Sequence, residues 1–223
     1  MATAAASTAE MTLADLLDRF GPIPIRRIRQ DPAPGSATEE DVVAIGAREG
    51  RLYELIHGIL LEKTMGYLES ELTVQILILL GLFVRERGLG IVTGPDGLMR
   101  LAPGLVRIPD VGFVSWARLG HRRPPEAPIA PFGPELAVEV LSPGNSKKEM
   151  ADKLDDYFAS GARLVWYIDP RAGTVTVHEA PGRATVLRGE DLLTGGEVLP
   201  GFEIAVAALL ALPEPPPAGE PRG

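Results

Sequence analysis

The densest apolar run in the chain lies between Leu72 and Val84, broken only by polar Thr73 and Gln75 and bounded by Glu71 and Arg85. Its length predicts a long buried helix from about Glu69 to Arg87, stopped by Gly88 and Gly90 and lying across a sheet. The run is too short to be read as a bilayer span. Upstream, Leu13, Leu16 and Leu17 behind a Thr12 cap predict a short amphipathic helix ending at Gly21. Pro22 to Ser36, rich in proline and glycine and carrying Arg26, Arg27 and Arg29, reads as an extended arm on the surface. Thr38 followed by Glu39, Glu40 and Asp41 opens a second short helix to Arg48.

From Arg51 the period changes from helix to strand. Leu52 to Ile56 and Ile59 to Glu62, joined at His57-Gly58, predict a hairpin. Ile91-Val92, Gly97 to Leu101 and Val106 to Val114 read as further strands, and Arg122 to Pro134 as a surface connection. The clearest unit is a strand at Leu136 to Leu141, a helix from Ser146 to Ser160, a strand at Leu164 to Ile168 and its hairpin partner at Thr174 to His178. Thr185 to Leu187 and Phe202 to Ile204 form a candidate second pair. These elements predict one α/β domain over 51–212. It is preceded by a flexible segment 1–10 and a helical and extended arm 11–50, and followed by a disordered proline-rich tail 213–223.

Composition narrows the function. With 223 residues, 45% hydrophobic and 23% charged, the chain has the balance of a folded globular domain. A net charge of -8 means that any nucleic acid must be held by local basic patches, for which Arg26, Arg27, Arg29, Arg122, Arg123, Lys147 and Lys148 are the candidates. The absence of cysteine excludes disulfides and thiolate zinc and fits a reducing cytoplasm. His57, His121 and His178 show no ligand spacing. The opening segment Met1 to Ala9 does not read as a secretory signal, and the sequence shows no serine-hydrolase elbow and no phosphate-binding P-loop. Gly88 to Gly94 misses the dinucleotide fingerprint by one residue, and 5% aromatics give no sugar platform.

Two carboxylates stand out. Glu139 interrupts the buried strand Leu136-Ala137-Val138-Glu139-Val140-Leu141, where an unpaired charge would cost several kcal/mol, so a cation, an arginine or lysine, or an open cleft must compensate it. Alternation puts Ala137, Glu139 and Leu141 on one face. Asp110 follows Pro109 inside the run Val106 to Val114, where proline permits a break that aims the aspartate out of the sheet; taken alone it reads as an exposed turn residue. In the following helix Ser146 and Glu149 make a capping-box pattern, and Met150, Leu154, Tyr157 and Phe158 form the apolar stripe. Lys153 lies at the stripe's edge, able to lean towards the sheet or to remain a solvated flank, and Lys147 is the alternative amine.

Together these residues resemble the PD-(D/E)XK nuclease superfamily, in particular the bacterial endonuclease family known as Uma2. The similarity is carried by Leu52 to Gly58, Ile108-Pro109-Asp110-Val111, Leu136 to Pro143, Lys153 with Tyr157 and Gly161, Val165 to Pro170, and Gly195 to Phe202. It implies a restriction-endonuclease-like mixed sheet flanked by helices, with Asp110 and Glu139 as the acids of the motif. Lys153 would replace the lysine expected at position 141, which here is leucine. Glu54 becomes an additional site carboxylate instead of an exposed hairpin residue. The implied activity is Mg2+-dependent hydrolysis of phosphodiester bonds, with Mn2+ as the alternative metal. Asp110, Glu139 and the Val140 carbonyl would be the ligands, DNA the substrate and the cytoplasm the compartment, with no membrane role and a homodimer as the assembly. The rival expectation is a nuclease-fold binding or assembly module with weak or no catalysis.

Overall fold

In the computed structural model, residues 11–120 and 123–213 are described. The expected flexible segment 1–10, His121, Arg122 and the tail beyond Pro213 lie outside them.

Local chemistry starts each helix. Thr12 with Asp15 and Thr38 with Asp41 form reciprocal capping boxes at α1 (Leu13–Phe20) and α2 (Glu39–Glu49), and Ser146 with Glu149 does the same for α5 (Lys147–Ala159). The hairpin β1 (Tyr53–Ile56) and β2 (Ile59–Glu62) turns on His57 and Gly58, both at positive φ. A side chain at Gly58 would run into the backbone of Gly35, so glycine is required there for space as well as for φ.

The hairpin is half of a four-stranded antiparallel sheet in the order β2-β1-β5-β4, where β4 is Met99–Ala102 and β5 is Leu105–Arg107. A second, six-stranded sheet runs β10-β9-β8-β7-β6-β3. Its strands are β3 (Gly90–Thr93), β6 (Val111–Ser115), β7 (Leu136–Val140), β8 (Leu164–Asp169), β9 (Thr174–Ala180) and β10 (Arg183–Arg188). Only β7 and β8 are parallel, and α5 makes the crossover between them. The run Val106 to Val114, read as one strand from its apolar pattern, is two strands in two sheets. The chain passes from one to the other at Ile108-Pro109-Asp110, where the proline interrupts the ladder.

The predicted alternation holds in β7. Leu136, Val138 and Val140 join the main core beneath the long helix α3 (Tyr67–Arg87), together with Leu72, Ile76, Leu80 and Val84 from that helix. Ala137 points the other way, into a second cluster with Met150 and Tyr157 of α5. The helix α3 begins two residues earlier than the sequence pattern suggests; it has 21 residues, and an 18-residue window within it reaches a mean hydropathy of 1.6, so it is long and apolar enough to cross a bilayer, by length and composition alone. Thr185 to Leu187 pairs with β9 through a tight turn at Pro181-Gly182. It is β11 (Leu192–Thr194) that pairs with β12 (Glu203–Ala205), just before the short helix α6 (Val206–Leu210). A one-turn helix α4 (Trp116–Leu119) follows β6.

Residues 11–50 are built into this frame. Leu16, Phe20, Ile23 and Ile28 pack with Ile56, Ile59, Leu61 and Leu105 on one face of the four-stranded sheet, and α2 covers the other face through Val42 and Ile45. The stretch around Arg26 to Arg29 is therefore not a surface arm. Ile28 bridges to Leu61, and Arg27 is buried.

Candidate active site

The two sheets meet beside α5, and the polar residues of all three elements collect there. On the four-stranded sheet, Glu54, Ile56, Leu61 and Leu105 share one face, and the apolar stripe on that face gives way at its end to Glu54, Lys63 and Arg107. From the six-stranded sheet comes Glu139, on the α5 face of β7. Asp110 stands in the link between the sheets, its backbone tied to β7 by Asp110 N–H donating to Val138 O at 3.0 Å. From above, α5 sends down Lys153. Glu54, Asp110, Glu139 and Lys153 are all 5% exposed or less.

Their contacts form one network. The Lys153 ammonium donates to both Glu139 oxygens, at 3.0 and 3.1 Å, and lies 3.1 Å from Glu54 Oε1. The Tyr157 hydroxyl donates to Glu139 Oε1 at 2.6 Å. Arg107 Nη1 donates to Glu54 at 2.9 Å, and its other two nitrogens reach Asp156. The Ile108 amide completes the shell of Glu54 at 3.1 Å. Asp110 accepts from the Val140 amide at 2.7 Å and pairs with the Lys63 ammonium at 2.8 Å, and that ammonium also donates to Ile108 O. Arg27 closes one wall, with two bonds to Glu149 at 2.7 and 3.0 Å and others to the Gly144 and Glu62 carbonyls.

Burial pushes the Glu139 carboxyl above the usual carboxylate range, and the nearby Asp110 charge adds to the shift although Lys153 opposes it. For Glu54, burial acts in the same direction, but the cations Lys153, Arg107 and Lys63 outweigh it and hold the carboxyl at about 2. Lys153 is kept protonated against its own burial by Glu139 and Glu54. Burial and the Glu139 charge push the Tyr157 hydroxyl well up, so it stays a donor.

Asp110, Glu139, Val140, Lys153 and Glu54 thus line one small cavity of about 20 Å³, also bordered by Lys63 and Arg27. That is room for one water-sized occupant. Lys153 is buried and not a solvated flank, and Glu54 is buried and not an exposed hairpin residue. Lys147 is exposed, on a different concavity with Arg171 and His178. Among the described residues, no group of three Asp, Glu, His or Cys side chains is placed to hold a metal ion by itself. A cation here would draw on two carboxylates and a backbone carbonyl, an all-oxygen set suited to a hard divalent ion that keeps part of its water. Of the basic candidates for phosphate contact, Arg27 is spent on Glu149, Arg29 on Glu49 and Lys148 on Asp152, whereas Arg26 and Lys147 are exposed.

Lys63 and Arg107 escaped the sequence reading. The signal was available, because alternation from Ile59 and Leu61 puts Lys63 on the same face as Glu54, and alternation from Leu105 does the same for Arg107.

Comparison with known proteins follows the same lines. Residues 40–207 match the Uma2 family model, described as "Putative restriction endonuclease". A crystal structure described as "a putative nuclease belonging to DUF820", from Anabaena variabilis ATCC 29413, superposes with a TM-score of 0.64 at 19% identity. It covers 71% of this chain and 89% of that one, a likeness of fold. No curated protein matches the chain.

Proposed function

The chain belongs to the Uma2 family, and from that premise we propose that it is a metal-dependent endonuclease hydrolysing phosphodiester bonds of DNA in the cytoplasm. The observation that carries this reading is the convergence of Asp110 and Glu139, 29 positions apart in sequence, on one cavity with the Lys153 ammonium. Burial and the confined Asp110 charge together raise the Glu139 carboxyl, and a divalent cation would relieve the repulsion between the two acids.

Asp110, Glu139 and the Val140 carbonyl would hold Mg2+ or Mn2+. When bound, the ion would supply Lewis-acid stabilisation of the scissile phosphate and lower the pKa of an attacking water. Lys153 holds a proton at Nζ beside the Glu139 oxygens, where it can orient that water or stabilise charge developing on the phosphate. Glu54 and Tyr157 position the other members. Glu54 fixes Lys153 and Arg107, and Tyr157 fixes Glu139. Lys63 pairs with Asp110 at 2.8 Å, and because the cavity has space for a single water, its ammonium would have to give way on its flexible stem for Asp110 to hold an ion. A pair of copies would place two such sites for a double-strand cut.

Isothermal titration with Mg2+ and Mn2+, run beside cleavage of plasmid and single-stranded DNA, tests this. Binding and cleavage should both fall at least about 100-fold in Asp110→Asn and Glu139→Gln, while Lys153→Met should lose cleavage and keep most metal affinity. The second reading, a nuclease-fold binding module, is favoured by one observation: each acid has a cationic partner from the chain itself, Lys63 for Asp110 and Lys153 for Glu139. DNA association with neither metal uptake nor cleavage in the wild type would select it and reject the enzyme.

A further inference from the structure

The core-facing side of α3 is fully used, but its opposite side is not. Leu72, Ile76, Leu80 and Val84 are buried, whereas Val74, Ile78 and Leu82 are 49%, 56% and 55% exposed. Their spacing of four residues makes them a continuous stripe along the helix. Beside it runs an open groove of about 560 Å³ between α3 and β3, lined by Leu77, Ile78, Gly81, Leu82 and Trp116. A Cβ built at Gly81 meets nothing within 4 Å, so another backbone can approach closely there. Aromatic and aliphatic side chains around an apolar groove are the composition of an interface centre.

The charges on the stripe specify the occupant. Glu71 and Arg85 flank Ile78 at seven residues on either side, and Val74 and Leu82 at four. In a helix these positions fall on nearly the same face as Ile78. Among the described residues, neither Glu71 nor Arg85 is in an ion pair within its own chain. An identical α3 laid antiparallel across this face therefore meets its complement at each step. Ile78 faces Ile78, Val74 faces Leu82, and Glu71 faces Arg85 on both sides of the two-fold axis. A lipid surface would have to desolvate the Glu71 carboxylate within the stripe and offers it no cation.

We infer that a second copy of this chain docks on the exposed Val74-Ile78-Leu82 stripe of α3, antiparallel and two-fold symmetric about Ile78, with Glu71 of each copy paired to Arg85 of the other. The interface is isologous and closes after two copies. It lies on the face of the six-stranded sheet opposite α5, so it leaves the carboxylate cavity open, and it stands whether or not that cavity hydrolyses DNA.

Sedimentation velocity on the full chain over a concentration series decides it, with circular dichroism confirming that every variant is folded. The wild type should sediment as a dimer and Ile78→Glu as a monomer. Glu71→Arg and Arg85→Glu should each weaken the dimer about tenfold or more, since each sets two like-charged pairs face to face. The combined Glu71→Arg/Arg85→Glu variant should return to within a few-fold of the wild type, because only an antiparallel copy restores both pairs. A wild type that stays monomeric throughout, a combined variant as weak as the single ones, or wild-type monomers that float with phosphatidylcholine vesicles would each overturn the proposal.

Discussion

Removing the charge of Glu54 leaves Arg107 and Lys153 short of one carboxylate in a buried space with room for a single water. Breaking a buried pair from one side is costly, so Glu54→Gln should lose about 3 kcal/mol in urea denaturation at pH 7. The pH dependence has a definite sign. The folded-state carboxyl sits at about 2, below its ordinary 4.5, so its stabilisation is present above about 4.5 and lost as the pH falls towards about 2. The gap between wild type and variant should narrow over that window, and a gap that stays constant would mean the charge contributes nothing. Asp110 and Glu139 stood out as two carboxylates set in apolar strand patterns, but it was the family resemblance that joined them in one site, since Asp110 taken alone reads as an exposed turn residue. The burial of Lys153 was not legible, because a lysine at the edge of an apolar stripe has the same pattern whether its amine reaches water or an acid. Resemblance alone raised it above a solvated flank residue.

Elements were legible where local chemistry decides them and obscure where two sheets compete for one run of residues. The capping boxes at Thr12, Thr38 and Ser146 fixed three helix starts. The apolar run Val106 to Val114 concealed a change of sheet, since hydrophobic alternation carries no information about which partner a strand takes. Residues 185–187 pair with the neighbouring β9 because a two-residue turn closes that hairpin at lower entropic cost than a return from residue 202. The β1–β2 hairpin sets the register of both Glu54 and Lys63, so its turn matters to the site. Gly58→Ala should cost about 2 kcal/mol or more, read as a lower melting temperature, because positive φ and the Gly35 backbone oppose it together.

At the scale of the molecule, the overall fold was visible from the order of strand and helix patterns, but the role of residues 11–50 was not. A segment rich in proline and arginine reads as surface whether or not a distant acid awaits it. Here Arg27 crosses to Glu149, and the two are 5% and 1% exposed at their side chains. The withdrawn cations Arg27, Arg107, Lys63 and Lys153 are matched by the withdrawn acids Glu149, Glu54, Asp110 and Glu139, so the interior network is close to neutral. Arg27→Met should lower stability by about 3 to 5 kcal/mol, measured by denaturant titration, by leaving Glu149 buried without its guanidinium.

That clasp bears on how the protein is handled at the bench. The family match begins at residue 40, so a polypeptide trimmed to that span would be missing Arg27 and the Leu16-Phe20-Ile23-Ile28 cluster. Its Glu149 would be stranded and one side of the carboxylate chamber would stand open to bulk water. A blank cleavage gel from such a shortened polypeptide would report a missing wall and would say nothing about the chemistry of Asp110 and Glu139.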